Sequence, residues 1–453
     1  MKDKRLLASL LAIALATCSL SVASVAAPPE KEIDQLIERA MDAFEIPGMV
    51  VSIVYDGEVY YSKGHGLVEV SKSTRVDDKT LFQIASVSKA FTAAALAVLV
   101  DEGKLDWEDP VIDYLPEFRM YDPWVTREFT IRDLLTHRSG LPLGAGDLLM
   151  FPEAETSREE IIRAMRFLKP TTSFRSEYAY DNLLYIIAGE VVGSASGMPF
   201  EEFLEERLLF PLGMTDCAAT LGRTAKKAPK ATPHVEVDGK LQTTLSLESD
   251  VGAADGGINC SARTMALWSS FVLNKGKNAA GEQVVSEAQV EQLLKPVTVL
   301  PTRGYMAEHA GSFLSAYALG WGVSTFYGQP SYSHGGGLWG MTTFLTILPR
   351  QGLAVFVSNN KLSAAPRAVA NDILDRFMSD VSPEAGKDWV GIVTDAMDSR
   401  TSDANDTVAE AETSRTPYSQ PSLPLSAYVG TYRYPWYGEI FITLTDDDRL
   451  WFK

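Results

Sequence analysis

Residues 30–45, EKEIDQLIERAMDAFE, space apolar side chains three and four positions apart with charges between them, which predicts an amphipathic helix. Two apolar runs follow in GMVVSIVYDGEVYYSKGHGLVE. The Asp56-Gly57 pair between them makes them two strands of a hairpin. From about 84 to 215 the spacing is mostly helical. After a glycine pair, GGINCSARTMALWSSFVLNKG reads as a further helix. ALGWGVSTFY, PSYSHGGG and MTTFLTILPRQGLAVFVSNN read as three or four strands, and RAVANDILDRFMSD as a helix able to pack back on them. Strands at both ends with helices between predict an α+β fold. Its mixed antiparallel sheet is flanked by helices and closed by both terminal regions, with a mostly helical second lobe.

The pattern changes after about 382. Residues 383–422 are rich in Ser, Thr, Asp, Ala and Glu with few large apolar residues, and read as a linker with some helix in KDWVGIVTDAMDS. Residues 423–453 alternate like strands around a turn at Asp446–Asp448. They read as the start of a second, β domain whose remainder lies beyond the sequence. The expected organisation is a segment 1–27, a main domain 31–380, the linker and this β piece.

Composition narrows the function. With 453 residues and 46% hydrophobic content, the chain has material for one large core and a smaller one. A net charge of −18 repels phosphate backbones and anionic lipid, so no nucleic-acid partner is expected. The first 27 residues have a basic start, an apolar run and small residues before Pro28, the pattern of an export signal cleaved after Ala26 or Ala27. Retained, that run would be an anchor; Cys18 would be the lipidated residue of a lipoprotein signal, although Thr17 is a poor residue before it. The expected location is therefore periplasmic or secreted, with membrane contact only if the signal is kept or lipidated. The histidines His65, His137, His234, His309 and His334 lack metal-ligand spacing, so no metal or other cofactor is expected. Cys217 and Cys260 read as two small buried thiols, although export permits a disulfide.

The candidate chemistry begins in LFQIASVSKAFTAAALAVLV. An apolar helix has no packing reason to carry Lys89 one turn beyond Ser86. A serine hydroxyl is a weak nucleophile and needs a base; a lysine amine serves where its surroundings disfavour the ammonium. Ser86 is expected in the first helical turn, where free backbone N–H groups favour negative charge on a substrate oxygen. The bland alternative is an N-cap serine and a surface lysine, and SNNK (Ser358, Lys361) matches the same spacing. Tyr180-Asp181-Asn182 is a second element. A tyrosine hydroxyl beside an ammonium can relay a proton, and an asparagine amide can hold both a lysine and a substrate carbonyl. Its bland reading is a half-buried tyrosine and a helix-capping asparagine. In SYSHGGGLWG, a glycine run after a short strand lets a ligand lie against backbone N–H groups, and His334 adds a donor that titrates near neutral pH. The Gly-x-Gly-x-x-Gly spacing there is no dinucleotide signature, because a strand-like segment follows where a helix is needed. His137 in LLTHRSGLP reads as structural, and no Gly-x-Ser-x-Gly elbow is present.

In that order, Ser86-x-x-Lys89, Tyr180-x-Asn182 and His334-x-Gly336 resemble the three motifs of the serine beta-lactamase-like and penicillin-binding family. Its members include class C beta-lactamases, D,D-carboxypeptidases, D-aminopeptidases and carboxylesterases. GKLDWEDPVIDYLPEF, FTIRDLLTHRSGLP, EEFLEERLLFPLGMTD and GGINCSARTMALW resemble that family's connecting segments, so the resemblance covers roughly residues 33–378. LSAYVGTYRYPWYGEIF is similar to the start of the small β-barrel domain that follows the catalytic domain in many such hydrolases. The resemblance implies that Ser86 is acylated, that Lys89 and Tyr180 share base and acid duties, and that Asn182 positions Lys89 and the substrate amide. It places His334 where many relatives have lysine, and implies an oxyanion hole from the N–H groups of Ser86 and Gly337 beside Gly336. One departure matters: Gly335 stands where beta-lactam hydrolases usually carry a hydroxyl that holds the substrate carboxylate. The expected function is thus an exported serine hydrolase of D-amino-acid peptides or small esters. A class C-like beta-lactamase or D,D-carboxypeptidase ranks second, then a slow-turnover penicillin-binding sensor. Its partners would be small molecules or peptides, cell-wall fragments among them. Residues 144–157 and 296–316 are the expected substrate loops.

Overall fold

The computed structural model describes residues 27–453 apart from 152–155, 227, 247–248 and 417–418. The segment expected as an export signal lies outside the described residues but for Ala27.

The hairpin predicted around Asp56-Gly57 forms from β1 (Gly48–Tyr55) and β2 (Glu58–Gly66), with both turn residues at positive φ as a two-residue connection requires. Late in the chain come β3 (Thr298–Val299), β4 (Ser315–Tyr317), β5 (Gly322–Phe326), β6 (Gln329–Leu338), β7 (Met341–Leu348) and β8 (Leu353–Asn359). Together they make one eight-stranded antiparallel sheet in the order β2-β1-β8-β7-β6-β5-β4-β3. The β1–β8 pairing, Met49 opposite Asn359 through Tyr55 opposite Leu353, joins the first strand to the last and closes the predicted sheet.

Both faces of this sheet are covered, which is why β1 is apolar on both sides apart from the buried Ser52. Met49, Val51 and Ile53 face α1 (Glu30–Ala43) and α5 (Ala365–Phe377) in one core. Val50 and Val54 face the other core with α2 (Ser88–Asp101), α3 (Leu183–Ser196) and α4 (Ala262–Leu273). Nearly every residue of α2 is buried, so its Ala, Val and Leu content belongs to a helix enclosed on all sides. Phe91 stacks on Trp268 of α4 with ring centroids 3.7 Å apart.

The structure corrects several local expectations. Cys217 and Cys260 form a disulfide rather than two thiols, with Cα atoms 4.5 Å apart. The cause is a backbone bridge next door: Ala218 and Asn259 exchange N–H···O bonds of 3.0 and 2.9 Å, which sets the flanking cysteines side by side. Ser86 lies in a short 3₁₀ turn, Ala85–Val87, ahead of α2 rather than in its first turn. The glycines after His334 do not follow a strand but continue β6 to Leu338. Within 383–422 runs a 25-residue helix, α6 (Trp389–Thr413), whose first turns bury Trp389, Val390 and Val393 against α5 and the helix Tyr305–His309. Three antiparallel strands follow, β9 (Gly430–Tyr434), β10 (Gly438–Leu444) and β11 (Leu450–Phe452).

Candidate active site

Three separate segments of the chain meet at Ser86. The first is the turn that carries it. Ala85 has a φ of 48°, a left-handed conformation unfavourable for a residue with a Cβ, and the Ile84 N–H is tied to the Ile258 carbonyl at 2.9 Å. Lys89, on the first turn of α2, is fully buried. Its Nζ donates to Ser86 Oγ at 3.2 Å, Asn182 Oδ1 at 2.9 Å and the Asp255 carbonyl at 2.9 Å. The other serine of the motif is structural: Ser88 Oγ accepts the Ile258 N–H at 3.2 Å.

The second segment precedes α3. Tyr180 donates its hydroxyl proton to Ser86 Oγ at 2.9 Å. Asn182 makes no capping bond to α3; its amide is oriented instead by Lys89 on the oxygen and by Asp147 Oδ2 on the nitrogen, at 3.2 Å. The capping duty falls to Asp181, whose Oδ1 accepts the Leu184 N–H at 3.0 Å. The Lys89 ammonium also lies 5.1 Å from the Tyr180 ring centre and 5.3 Å from that of Tyr185, within reach of cation–π attraction.

The third segment is β6. A Cβ on Gly336 would stand 2.6 Å from the Ile84 carbonyl and 3.0 Å from the Ser86 nitrogen. Only glycine lets the strand come this close to the nucleophile's backbone, with Gly337 next in line. His334 behaves differently from the expectation. Its Nδ1–H donates to the Gly335 carbonyl at 2.7 Å, so its Nε2 accepts from the Tyr317 hydroxyl at 2.8 Å. Burial, and then the Lys89 charge, depress its pKa to about 3. His334 is therefore a neutral imidazole locked between two partners, not a group that titrates near neutral pH.

Three contributors escaped the sequence reading, and a fourth was read there only as structural. Asp147 opens the turn Asp147–Leu149, and Tyr317 ends β4, directly after residues 296–316. Asp255 precedes the Gly256-Gly257 pair. The fourth is His137. It is fully buried at φ 50°, its ring 4.1 Å from that of Tyr180, and its Nδ1 accepts the Asp181 N–H at 3.2 Å. The signal for it was its place before Ser-Gly-Leu-Pro, but nothing local shows which ring it would meet.

The arrangement offers a buried lysine and a phenol on one serine hydroxyl, with backbone N–H groups at hand. A beta-lactamase family model matches residues 33–377, and a domain described only as being of unknown function matches 414–453. The chain is 29% identical over 441 residues to an unguisins hydrolase of Aspergillus campestris, covering 93% of this chain and 79% of that protein. It is 26% identical over 325 residues to penicillin-binding protein 4 of Amycolatopsis lactamdurans, covering 70% and 81%. The octameric penicillin-binding protein homologue from Pyrococcus abyssi superposes with a TM-score of 0.70 at 22% identity, over 93% of this chain and 86% of that one, a likeness of fold.

Proposed function

The chain belongs to the beta-lactamase family and is a serine hydrolase; on that premise we propose that it works through an acyl-enzyme on Ser86, cleaving amide or ester bonds in D-amino-acid peptides or small esters after export. The observation that carries this reading is the placement of Tyr180 Oη at 2.9 Å and Lys89 Nζ at 3.2 Å from one serine oxygen.

In this reading Ser86 Oγ attacks the substrate carbonyl carbon, and its proton passes to the Lys89–Tyr180 pair and on to the leaving nitrogen or oxygen. The carbonyl oxygen, now negative, takes the N–H groups of Ser86 and Gly337, which Gly336 brings into range. Asn182, held by Lys89 and Asp147, aligns the amide of the substrate. Water then attacks the acyl ester and restores Ser86.

The substrate class rests on β6. A neutral His334 offers no cation to a free carboxylate, and Gly335 offers no hydroxyl. Both favour a D-aminopeptidase or esterase over a beta-lactamase or D,D-carboxypeptidase. One observation favours the second reading: the Arg367 guanidinium lies 3.8 Å from where a Cβ of Gly335 would stand, and an arginine there suits a carboxylate. Initial rates on a D-alanine anilide, a D-Ala-D-Ala peptide, a chromogenic cephalosporin and a nitrophenyl ester decide between them, with Ser86→Ala as control. Turnover led by the anilide or the ester supports the first reading, and turnover led by the cephalosporin or the dipeptide the second. Equal rates for wild type and Ser86→Ala would sink both.

A further inference from the structure

Asp255 is a buried carboxylate with no part in the chemistry above. Its turn, Ala253–Gly257, is pinned to α2 at three points. Thr92 Oγ1 donates to the Ala254 carbonyl at 2.6 Å, Lys89 Nζ to the Asp255 carbonyl, and the Ile258 N–H to Ser88 Oγ. This places Asp255 Oδ2 4.0 Å from Lys89 Nζ. Asp255 is 7% exposed, and it also lines a small cavity of about 20 Å³ with Phe151, Gly256 and Leu338, room for one water.

The geometry of Lys89 sets a problem. As an ammonium it spends its three N–H groups on Ser86 Oγ, Asn182 Oδ1 and the Asp255 carbonyl. In that form it cannot receive the Ser86 proton; one proton must leave first. Three carboxyls surround it. Asp147 is turned to the Asn182 amide, and Asp181 to the Leu184 N–H. Asp255 alone of the three has a carboxylate oxygen within 4.0 Å of the Lys89 nitrogen.

We propose that Asp255 is the proton acceptor for Lys89, drawing one proton from the ammonium so that the resulting amine can take the Ser86 hydroxyl proton. In this step the Lys89 N–H that faces the Asp255 carbonyl turns to Oδ2, closing the 4.0 Å gap to hydrogen-bond distance; that N–H bond breaks and an Asp255 O–H bond forms, leaving a neutral amine and a neutral carboxyl. The amine then receives the Ser86 proton as Oγ attacks. After that proton has passed to the leaving group, Asp255 returns its own to Lys89. Asp255 acts through Lys89 and does not touch the substrate, so it is a positioning residue for charge. The groups facing it are Lys89 from α2, Asp147 from the turn Asp147–Leu149, Asp181 ahead of α3 and Arg158 from the helix Arg158–Ala164. Burial, aided by Asp147 and opposed by Lys89 and Arg158, lifts its pKa to about 6.

The inference rests on Ser86 being the acylated nucleophile, and one experiment separates the two. The nitrophenolate burst from para-nitrophenyl acetate is followed by stopped flow from about pH 5 to pH 9. The proteins are wild type, Ser86→Ala, Asp255→Asn and Asp255→Ala. Only ionised Asp255 can accept a proton, so the wild-type burst rate should climb with pH through about 6. In Asp255→Asn that limb should vanish and the plateau fall about 100-fold. If Asp255→Asn does not melt cooperatively, folded Asp255→Ala is read instead, and added formate should restore its burst. An Asp255→Asn burst that keeps the limb and stays within about threefold of wild type overturns the proposal, as does a folded Asp255→Ala that formate leaves unchanged. A wild-type burst no larger than that of Ser86→Ala overturns the acyl-enzyme reading itself, and this proposal with it.

Discussion

Lys89, Gly336 and His137 each act on Ser86 by a different physical route, and each route predicts a different loss. Lys89→Ala removes the amine and leaves Asn182 and the Asp255 carbonyl without their donor. A drop in kcat/KM of about 1,000-fold is expected, equivalent to about 4 kcal/mol of transition-state stabilisation, read from steady-state rates. Gly336→Ala forces a methyl to within 2.6 Å of the Ile84 carbonyl, so either β6 or the Ser86 turn must shift. It should cost about 1–3 kcal/mol in urea unfolding and more than about 10-fold in kcat, because a misplacement of 1 Å is felt strongly in catalysis. His137 acts through its packing on Tyr180. His137→Asn, which tolerates the positive φ, should lower kcat while KM changes little; equal effects on both would argue against a positioning role. Ser358 and Lys361 share the Ser-x-x-Lys spacing but do not meet. Ser358 bonds to Thr343 at 2.7 Å inside the sheet, and Lys361 turns to Glu45 and Glu236. Spacing in sequence is thus a proximity argument only where a helix carries it.

At the scale of elements, cross-links between segments distant in sequence hold the site. The Cys217–Cys260 disulfide closes a loop across 43 positions, next to the backbone bridge that leads into the Asp255 turn and α4. Replacing both cysteines by serine should lower stability by about 2–4 kcal/mol in urea denaturation, with the family of substrates unchanged. The helix α6 is tied down at its start, where Trp389 Nε1 donates to Asp375 Oδ1 at 3.1 Å. The segment around 383–422 reads as a linker because its later residues are polar on every side. The buried anchors, Trp389, Val390 and Val393, occupy only its first turns, too few to set a period.

At the scale of the whole molecule, the cluster of buried acids and histidines sets a pH dependence. Burial lifts Asp181 to about 8, while its unfolded value is near 3.9. Folding therefore keeps a proton that the unfolded chain gives up, and stability from this group falls as pH rises from about 4 to 8. Burial depresses His334 to about 3, so its contribution has the opposite sign: it is complete above about 6.5 and is lost as pH falls towards 3. Asp181→Asn retains the bond to the Leu184 N–H and removes the first effect. It should be more stable than wild type at pH 8 by a few kcal/mol, with the difference vanishing near pH 4 in urea titrations. A wild-type-like pH slope in that variant would show that Asp181 is ionised in the folded protein.

Periodicity, turn residues and motif order determined much of this protein by themselves. They located the β1–β2 hairpin, the four strands from β5 to β8, helices α1, α4 and α5, the residues Ser86, Lys89, Tyr180, Asn182, His334 and Gly336, and the family resemblance. Each of these is a local or ordered pattern, which a linear chain records. Only the tertiary structure decided the Cys217–Cys260 bond, the packing of His137 under Tyr180, the neutrality of His334 and the approach of Asp255 to Lys89. Those properties arise from residues far apart in the chain, brought together in a low-dielectric interior where desolvation outweighs the intrinsic chemistry of each side chain. The sequence names the side chains; their charge and their partners depend on the enclosure that folding builds around them.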